Sequence, residues 1–276
     1  VKELEVRRLG FESKRVTVQQ HRELDDYLKT IGSQVTLIPT EDIVEKLRLI
    51  KDNTEIDRTR AAIGVAEQAF ETLMGVLKPG MTEINLAWTL EQQMRRAGAQ
   101  EVSFPVIVAA GPNSALPHAV PSQRVIREDE PLLIDWGARL QGYCSDTTRT
   151  VSIGRASDQF STIYRIVHES QQKAIAAMGP GVSARQVDGV ARDHIAAEGY
   201  GDYFGHGLGH GTGLAIHEAP RLSPLSDDTL QPGMICTVEP GIYLPEWGGI
   251  RLENQVVITE NGVDVLTALP LGNYVV

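Results

Sequence analysis

Four carboxylates lie in apolar, strand-like sequence. Asp135 follows Pro-Leu-Leu-Ile, Asp146 precedes Thr-Thr-Arg-Thr-Val, Glu239 lies in Thr-Val-Glu-Pro-Gly and Glu253 in Gly-Ile-Arg-Leu-Glu-Asn. A single Asp at a strand end is usually a turn or cap residue, but four buried carboxylates need a cation or a proton to offset their repulsion. Arg251 alternates with Glu253, so both can point the same way, yet one Arg cannot neutralise four acids. The set therefore predicts a site for hard divalent cations with oxygen ligands.

A histidine-rich stretch, HGLGHGTGLAIHE at 206–218, contains His206, His210 and His217. An imidazole supplies the nitrogen ligand that Mn, Fe, Co or Zn accept. A lone His is more often structural, but here three of the seven histidines fall within 12 residues. The glycines around them permit unusual backbone angles and close approach. The stretch therefore predicts histidines that act in the site.

Helices and short strands must position these residues. Thr17 and Gln20 form a predicted capping box that opens a helix, and Gly32 ends it. Further helices are predicted within 41–51, from about 53 to 78–80, and within 82–99, 157–178 and 183–198. Strand-like runs are predicted within 102–111, 131–154, 234–245 and 249–259. A turn near Gln141-Gly142 makes a hairpin that can place Asp135 and Asp146 on one face.

An internal repeat relates the two halves of the chain. The same offset of 101 positions separates Pro79 from Pro180, Gly80 from Gly181, and Gly98 from Gly199. Each half then supplies a histidine and two carboxylates: His118, Asp135 and Asp146 in the first, and His217, Glu239 and Glu253 in the second. The fold is therefore predicted to be α+β, with a pseudo-twofold repeat around one shared site.

Composition excludes several classes of protein. The chain has 276 residues, 26 basic and 36 acidic, for a formal net charge of -10, and no basic block could follow a phosphate backbone. Nucleic acid is therefore not an expected partner. No membrane is expected either, because no apolar run reaches about 18 residues and the opening VKELEVRR is charged. A cytoplasmic protein is predicted, in which Cys144 and Cys236 are buried free thiols.

The order Asp135, Asp146, His210, Glu239, Glu253 resembles the five-ligand set of the pita-bread metallopeptidases. These include creatinase relatives, aminopeptidase P, prolidase and methionine aminopeptidase. The stretch 206–218 resembles the signature of the proline peptidases, with a His, a ligand His four residues on, a Gly three later and a final His-acid pair. The resemblance covers about 53–266. It implies a pita-bread catalytic domain at 51–276, and residues 1–50 resemble the end of the additional N-terminal α/β domain of aminopeptidase P and prolidase.

The resemblance implies hydrolysis of the Xaa-Pro bond by two divalent metal ions, with Mn expected and Co, Zn or Fe as alternatives. Asp135 would bind one metal, Asp146 and Glu253 both, and His210 and Glu239 the second. Glu239 would also transfer a proton. His118 and His217 would contact the substrate, His206 would lie beside the leaving proline, and Arg251 would orient Asp135. Tyr243 is either another site residue or a core residue. A homodimer that takes peptides with proline in second position is expected.

Other functions stay open at this point. A binding module or a metal-free creatinase-type hydrolase would normally lack some of the five ligands, which are all present. A lyase on the same scaffold, such as a dimethylsulfoniopropionate lyase, would keep them. Methionine aminopeptidase would lack His206 and the N-terminal segment. Aminopeptidase P and prolidase are equally compatible with the motifs.

Overall fold

The computed structural model describes residues 6–272 and 275, so part of the charged opening lies outside the described residues. The chain divides into two compact units, Val1–Arg48 and Leu49–Val276. None of the helices in the described ranges combines the length and apolar character needed to cross a bilayer.

The first unit is built around one parallel strand pair. Strand β1 (Arg8–Glu12) leads through helix α1 (Val18–Thr30) to strand β2 (Thr36–Thr40), and helix α2 (Ile43–Leu49) follows. The predicted capping box is confirmed, since the Gln20 backbone N–H donates to Thr17 Oγ1 at 3.2 Å and the Thr17 N–H donates to Gln20 Oε1 at 2.9 Å. Helix α1 ends just before Gly32, whose φ of +62° lies in the left-handed region that glycine favours.

Two helix pairs dominate the second unit. They are α3 (Asn53–Met74) with α4 (Glu83–Arg96), and α5 (Asp158–Ala176) with α6 (Ala184–Ala197). Helix α3 starts where predicted, with Asp52 as its N-cap in a capping box with Glu55. It ends at Met74, earlier than predicted, because Gly75 follows and glycine is a poor helix former.

The strands of the first half flank Asp135 and Asp146. They are β3 (Glu101–Val102), β4 (Ile107–Ala110), β5 (Pro131–Trp136), β6 (Ala138–Leu140), β7 (Tyr143–Cys144) and β8 (Thr147–Ser152). Strands β4, β5 and β8 form an antiparallel sheet, and β6 and β7 form the predicted hairpin. Its turn has Gln141 and Gly142 at φ of +50° and +87°. The run predicted at 102–111 is split in two, because Pro105 cannot donate to a strand ladder.

The strands of the second half carry the remaining ligands. They are β9 (Gly209–Gly211), β10 (Glu218–Leu222), β11 (Ile235–Val238), β12 (Gly241–Leu244), β13 (Gly248–Arg251), β14 (Asn254–Thr259) and β15 (Gly262–Val265). One sheet has the order β10-β9-β11-β14-β15, and β12 and β13 form a hairpin. Strand β9 was not predicted, because its glycines resemble a loop. A Cβ at Gly209 or Gly211 would lie about 2 Å from a backbone carbonyl oxygen of a neighbouring segment, so glycine is required there.

The repeat is visible in the backbone. Gly80 and Gly181 have φ of +92° and +83°, and Gly98 and Gly199 have φ of +109° and +89°. The Gly80 N–H donates to the Ile126 carbonyl at 3.1 Å, and the Gly181 N–H donates to the Leu230 carbonyl at 2.8 Å. Each helix pair covers its own sheet with a separate apolar core. The α+β architecture with two related halves thus matches the prediction.

Candidate active site

A single cleft of about 680 Å³ contains every predicted site residue. Its lining includes His118, Asp135, Asp146, His206, His210, His217, Glu239, Arg251 and Glu253. Asp135 lies on β5 and Asp146 directly before β8, while His210 lies on β9, Glu239 follows β11 and Glu253 joins β13 to β14. Both halves therefore contribute to the same site, as the repeat predicts.

The candidate metal ligands meet in the buried part of the cleft, where Asp135, Asp146 and Glu253 have little exposure. Ligating atoms of Asp146, His210 and Glu253 all lie within 4.8 Å of one another. His210 Nε2 lies 3.5 Å from Asp146 Oδ2 and 3.4 Å from Glu239 Oε1. His210 Nδ1 lies 3.0 Å from the Gly211 carbonyl, which can only accept, so Nδ1 carries the proton and Nε2 presents its lone pair to the carboxylates.

Two buried oxygens in this part of the cleft test whether a cation fits. Asp135 Oδ1 and Glu253 Oε1 have no hydrogen-bond partner within the described ranges. The other oxygen of each group is fixed, since Arg251 Nη2 donates to Asp135 Oδ2 at 2.6 Å and Thr148 Oγ1 donates to Glu253 Oε2 at 2.6 Å. Buried polar atoms are nearly always paired. A divalent cation that accepts oxygen and nitrogen ligands would supply the missing partner.

The electrostatics of the cluster also favour a bound cation. Burial and neighbouring carboxylates, above all Glu253 for Asp146 and Glu239 for Glu253, raise the pKa of both groups well above their usual range. Burial also raises the pKa of Glu239 to about 7. The same burial lowers the pKa of His210, which favours the neutral imidazole that binds metals. A bound cation would stabilise the charged carboxylates.

Arg251 connects the acidic end of the cleft to His206. Its guanidinium donates a hydrogen bond to Asp135, and its Nη1 also donates to Tyr243 Oη at 2.9 Å. His206 Nδ1 lies 2.8 Å from the Gly207 carbonyl and Nε2 lies 2.8 Å from Tyr243 Oη. Burial raises the pKa of Tyr243 to about 12 and lowers that of His206 to about 4. Tyr243 therefore keeps its proton and donates it to neutral His206, which places this tyrosine within the hydrogen-bond network of the site.

Comparison with known protein families gives a match over most of the catalytic unit. Residues 57–260 match Metallopeptidase family M24. The chain belongs to this family. The resemblance to pita-bread metallopeptidases and the predicted α+β pita-bread fold are thereby confirmed, and so is the prediction of a metallopeptidase.

Individual M24 relatives agree with this assignment. The chain is 46% identical over 265 residues to a Bacillus subtilis protein named uncharacterized peptidase YqhT, covering 96% of this chain and 74% of that one. It is 42% identical over 227 residues to the Xaa-Pro dipeptidase of Pyrococcus furiosus, covering 82% and 65%. Among solved structures, an Xaa-Pro dipeptidase from Bacillus anthracis has a TM-score of 0.96 and 43% identity, with 100% of this chain and 76% of that chain covered.

Two threonines of the M24 site were missed from the sequence. Thr237 Oγ1 accepts the His210 backbone N–H at 3.0 Å and donates to Glu239 Oε1 at 3.0 Å. Thr148 Oγ1 accepts from Arg251 Nε at 3.2 Å and donates to Glu253 Oε2. A hydroxyl has one proton, so each accepted N–H directs that proton toward the carboxylate. The spacing was a usable signal, since Thr237 and Glu239 alternate along the chain and share a face.

Part of the lining of the M24 cleft is apolar. Phe104, Pro105, Ile107, Pro117, Val120 and Ile216 contribute apolar surface there. His118 and His217 are exposed to the cleft, and the His217 ring lies 4.4 Å from the His210 ring. Arg221 also lines the cleft, is exposed, and has no side-chain partner among the contacts of the described residues. Sequence reasoning missed Arg221, although it lies only four residues after His217.

Proposed function

We propose that this M24 chain hydrolyses Xaa-Pro bonds with two divalent metal ions. The observation that carries the proposal is the pair of unpartnered buried oxygens, Asp135 Oδ1 and Glu253 Oε1, beside Asp146, His210 and Glu239. The donor set is four carboxylates and one neutral imidazole, which suits transition-metal cations. The names of the Bacillus anthracis and Pyrococcus furiosus relatives, both Xaa-Pro dipeptidases, support the choice of substrate.

The five ligands are proposed to divide between the ions. Asp135 would bind one, His210 and Glu239 the other, and Asp146 and Glu253 both. When bound, two divalent cations make hydroxide available near neutral pH and polarise the scissile carbonyl. Manganese is the proposed metal, with Co, Zn and Fe as alternatives.

The remaining site residues are proposed to act on the substrate. Glu239 would carry the proton from the attacking water to the leaving nitrogen. His118 and His217, exposed to the cleft, would hydrogen-bond the substrate and stabilise the tetrahedral intermediate. His206 would lie beside the leaving proline, held by Tyr243. Arg251 would keep Asp135 oriented through its bond to Oδ2.

A dipeptide is proposed as the preferred substrate. A peptide-bonded proline nitrogen has no N–H, so the cleft must recognise other parts of the substrate. Arg221 offers an exposed guanidinium in the lining of the cleft, a group that pairs well with a carboxylate. The C-terminal carboxylate of an Xaa-Pro dipeptide would lie close to the scissile bond, whereas in a longer peptide it would not.

Three further assignments extend this proposal. Residues 1–50 are proposed to be the end of a creatinase-type N-terminal domain, since their strand-helix-strand unit is α/β. A homodimer is proposed from the family resemblance. A cytoplasmic location is proposed because both cysteines are free and buried, as in proteins kept in reducing compartments.

Paired peptide substrates test the function. The Mn²⁺-loaded chain should cleave Ala-Pro with a kcat/KM at least about tenfold above that for Ala-Ala, a difference of about 1.4 kcal/mol. Ala-Pro should also exceed Ala-Pro-Ala, and Arg221→Ala should reduce that preference. Faster cleavage of Met-Ala-Ser would favour methionine aminopeptidase. Elimination from dimethylsulfoniopropionate without peptide cleavage would favour a lyase.

A further inference from the structure

Glu83 is a buried acid that the proposed mechanism does not use. It is the first residue of α4, its exposed fraction is 0%, and it forms no salt bridge within the described ranges. Its carboxylate instead accepts five hydrogen bonds from polar groups of a single loop. Burying a carboxylate is unfavourable unless such donors replace water, so the loop and Glu83 depend on each other.

The five bonds hold both ends of one segment, residues 110–122. At one end, the Ala110 N–H donates to Oε1 at 2.8 Å, and Asn113 Nδ2 donates to both oxygens at 3.0 and 3.1 Å. At the other end, the Ser122 N–H and Oγ donate to Oε2 at 3.0 and 2.6 Å. Ser122 Oγ accepts the Arg124 N–H at 3.1 Å, so its own proton points at Glu83. The Glu83 carboxylate therefore links the two ends of the 110–122 segment to each other.

The closed loop forms one wall of the cleft. All five residues from Pro117 to Pro121 line the cleft, including His118. Burial of the loop's own apolar side chains holds it only in part, because Ala119 is buried but Leu116 is 60% exposed and Val120 is 84% exposed. Other contacts also reach this segment. In its middle, the Gly249 N–H donates to Ser114 Oγ at 2.8 Å and Arg251 Nη1 donates to the Pro117 carbonyl at 3.3 Å. At its ends, Ala110 pairs with Leu132 in the β4–β5 ladder and the Ile84 N–H donates to the Ser122 carbonyl at 3.0 Å.

We propose that Glu83 is a positioning residue that fixes this wall and, through it, His118. The effect on catalysis rests on the proposed function, whereas the effect on the loop does not. Glu83 touches neither the substrate cleft nor a candidate metal ligand among its hydrogen bonds, so its role is separable from metal binding. Its place at the first turn of a helix also suits a negative charge.

The test replaces Glu83 with Gln. The amide keeps the shape of the carboxylate but turns one acceptor into an NH₂ donor, which faces N–H or O–H donors at one end of the loop. Glu83→Gln should lower kcat/KM for Ala-Pro about tenfold or more while leaving the bound metal per chain unchanged. Amide hydrogen exchange within 110–122 should become about tenfold faster or more, with the rest of the chain unchanged. Ser122→Ala, a milder change, should give a smaller effect of the same kind.

A double-mutant cycle with His118→Ala separates positioning from general destabilisation. Glu83→Gln should lower kcat/KM much less in the His118→Ala background, to about threefold or less, because the residue it positions is already gone. The matched control is Glu67→Gln, since Glu67 accepts two backbone N–H groups, of Ala268 and Leu269, outside the cleft. This control should leave kcat/KM unchanged.

Two results would overturn the proposal: unchanged exchange within 110–122 in Glu83→Gln, or equal losses of kcat/KM in both His118 backgrounds. If the wild-type chain cleaves no Xaa-Pro substrate, the proposed function fails, and the exchange measurement still decides whether Glu83 holds the loop.

Discussion

Replacement of Thr237 by Val tests whether one hydroxyl orders two of the proposed metal ligands. Thr237 is fully buried, and its Oγ1 bridges the His210 N–H and Glu239 Oε1 at 3.0 Å each. Valine has the same shape but neither accepts nor donates. The substitution therefore removes both bonds without opening a cavity, and His210 and Glu239 lose the group that fixes their relative position.

The expected losses of stability and of Mn²⁺ affinity in Thr237→Val follow from these two hydrogen bonds. A buried N–H left without a partner costs about 1–3 kcal/mol, and the bond to the carboxylate adds to this. Part of that loss appears in the free energy of unfolding of the metal-free protein. Mutation of a group that orients a metal ligand typically lowers metal affinity about 10–100-fold, which corresponds to about 1.4–2.7 kcal/mol. Thr237→Val should therefore weaken Mn²⁺ binding by this factor.

Isothermal titration of the metal-free protein with Mn²⁺ measures the change, and urea denaturation measures the stability. Thr237→Ser is the matched control, because it keeps the hydroxyl and removes only a methyl group. It should bind Mn²⁺ within about threefold of the wild type. Equal Mn²⁺ affinities for Thr237→Val and Thr237→Ser would refute the claim that the hydroxyl positions the ligands.

Three other predictions concern the histidines, a bridging acid and the thiols. His210→Ala should lower the metal content measured by elemental analysis, whereas His206→Ala should keep the metal and lower kcat/KM about tenfold or more. The reverse pattern would mean that His206, not His210, is the metal ligand. Asp146→Asn should reduce binding of both metal ions in a titration, and loss of only one would argue against a bridging role. Burial raises the pKa of Cys236 to about 12 and also raises that of Cys144, so neither thiol should react with Ellman's reagent at pH 8 until the protein is unfolded.

The position of the site was predictable because its carboxylates lie in apolar sequence, where a charged group is unfavourable without a partner. Asp135 and Glu253 lie among apolar residues where a carboxylate is unfavourable, and the hairpin at Gln141-Gly142 is a local feature that brings Asp146 back toward Asp135. The structure gathers these residues in one cleft with the predicted histidines. Their individual roles stay predictions until ligands are measured.

Apart from the alternation of Thr237 with Glu239, nothing in the local sequence indicated the supporting residues, since each looks ordinary there. Thr148 and Thr237 are good strand formers on strands, and an acid at the first turn of a helix, such as Glu83, is common. Only the tertiary fold shows that Thr148 contacts Glu253 and that Glu83 holds Ser122. The short strand β9 was missed for a related reason, because the close approach that requires its glycines depends on segments distant in sequence.

The contacts that build the cleft join residues more than a hundred positions apart. Asp135 meets Arg251 across 116 positions, Thr148 meets Glu253 across 105, and the Asp146 N–H donates to Gln255 across 109. During synthesis on the ribosome, the first half therefore emerges with its two aspartates but without the strands that complete the cation site. The full set of proposed metal ligands would therefore come together only after most of the chain has been synthesised. A fragment that ends before Glu239 would lack two of the five proposed ligands, Glu239 and Glu253.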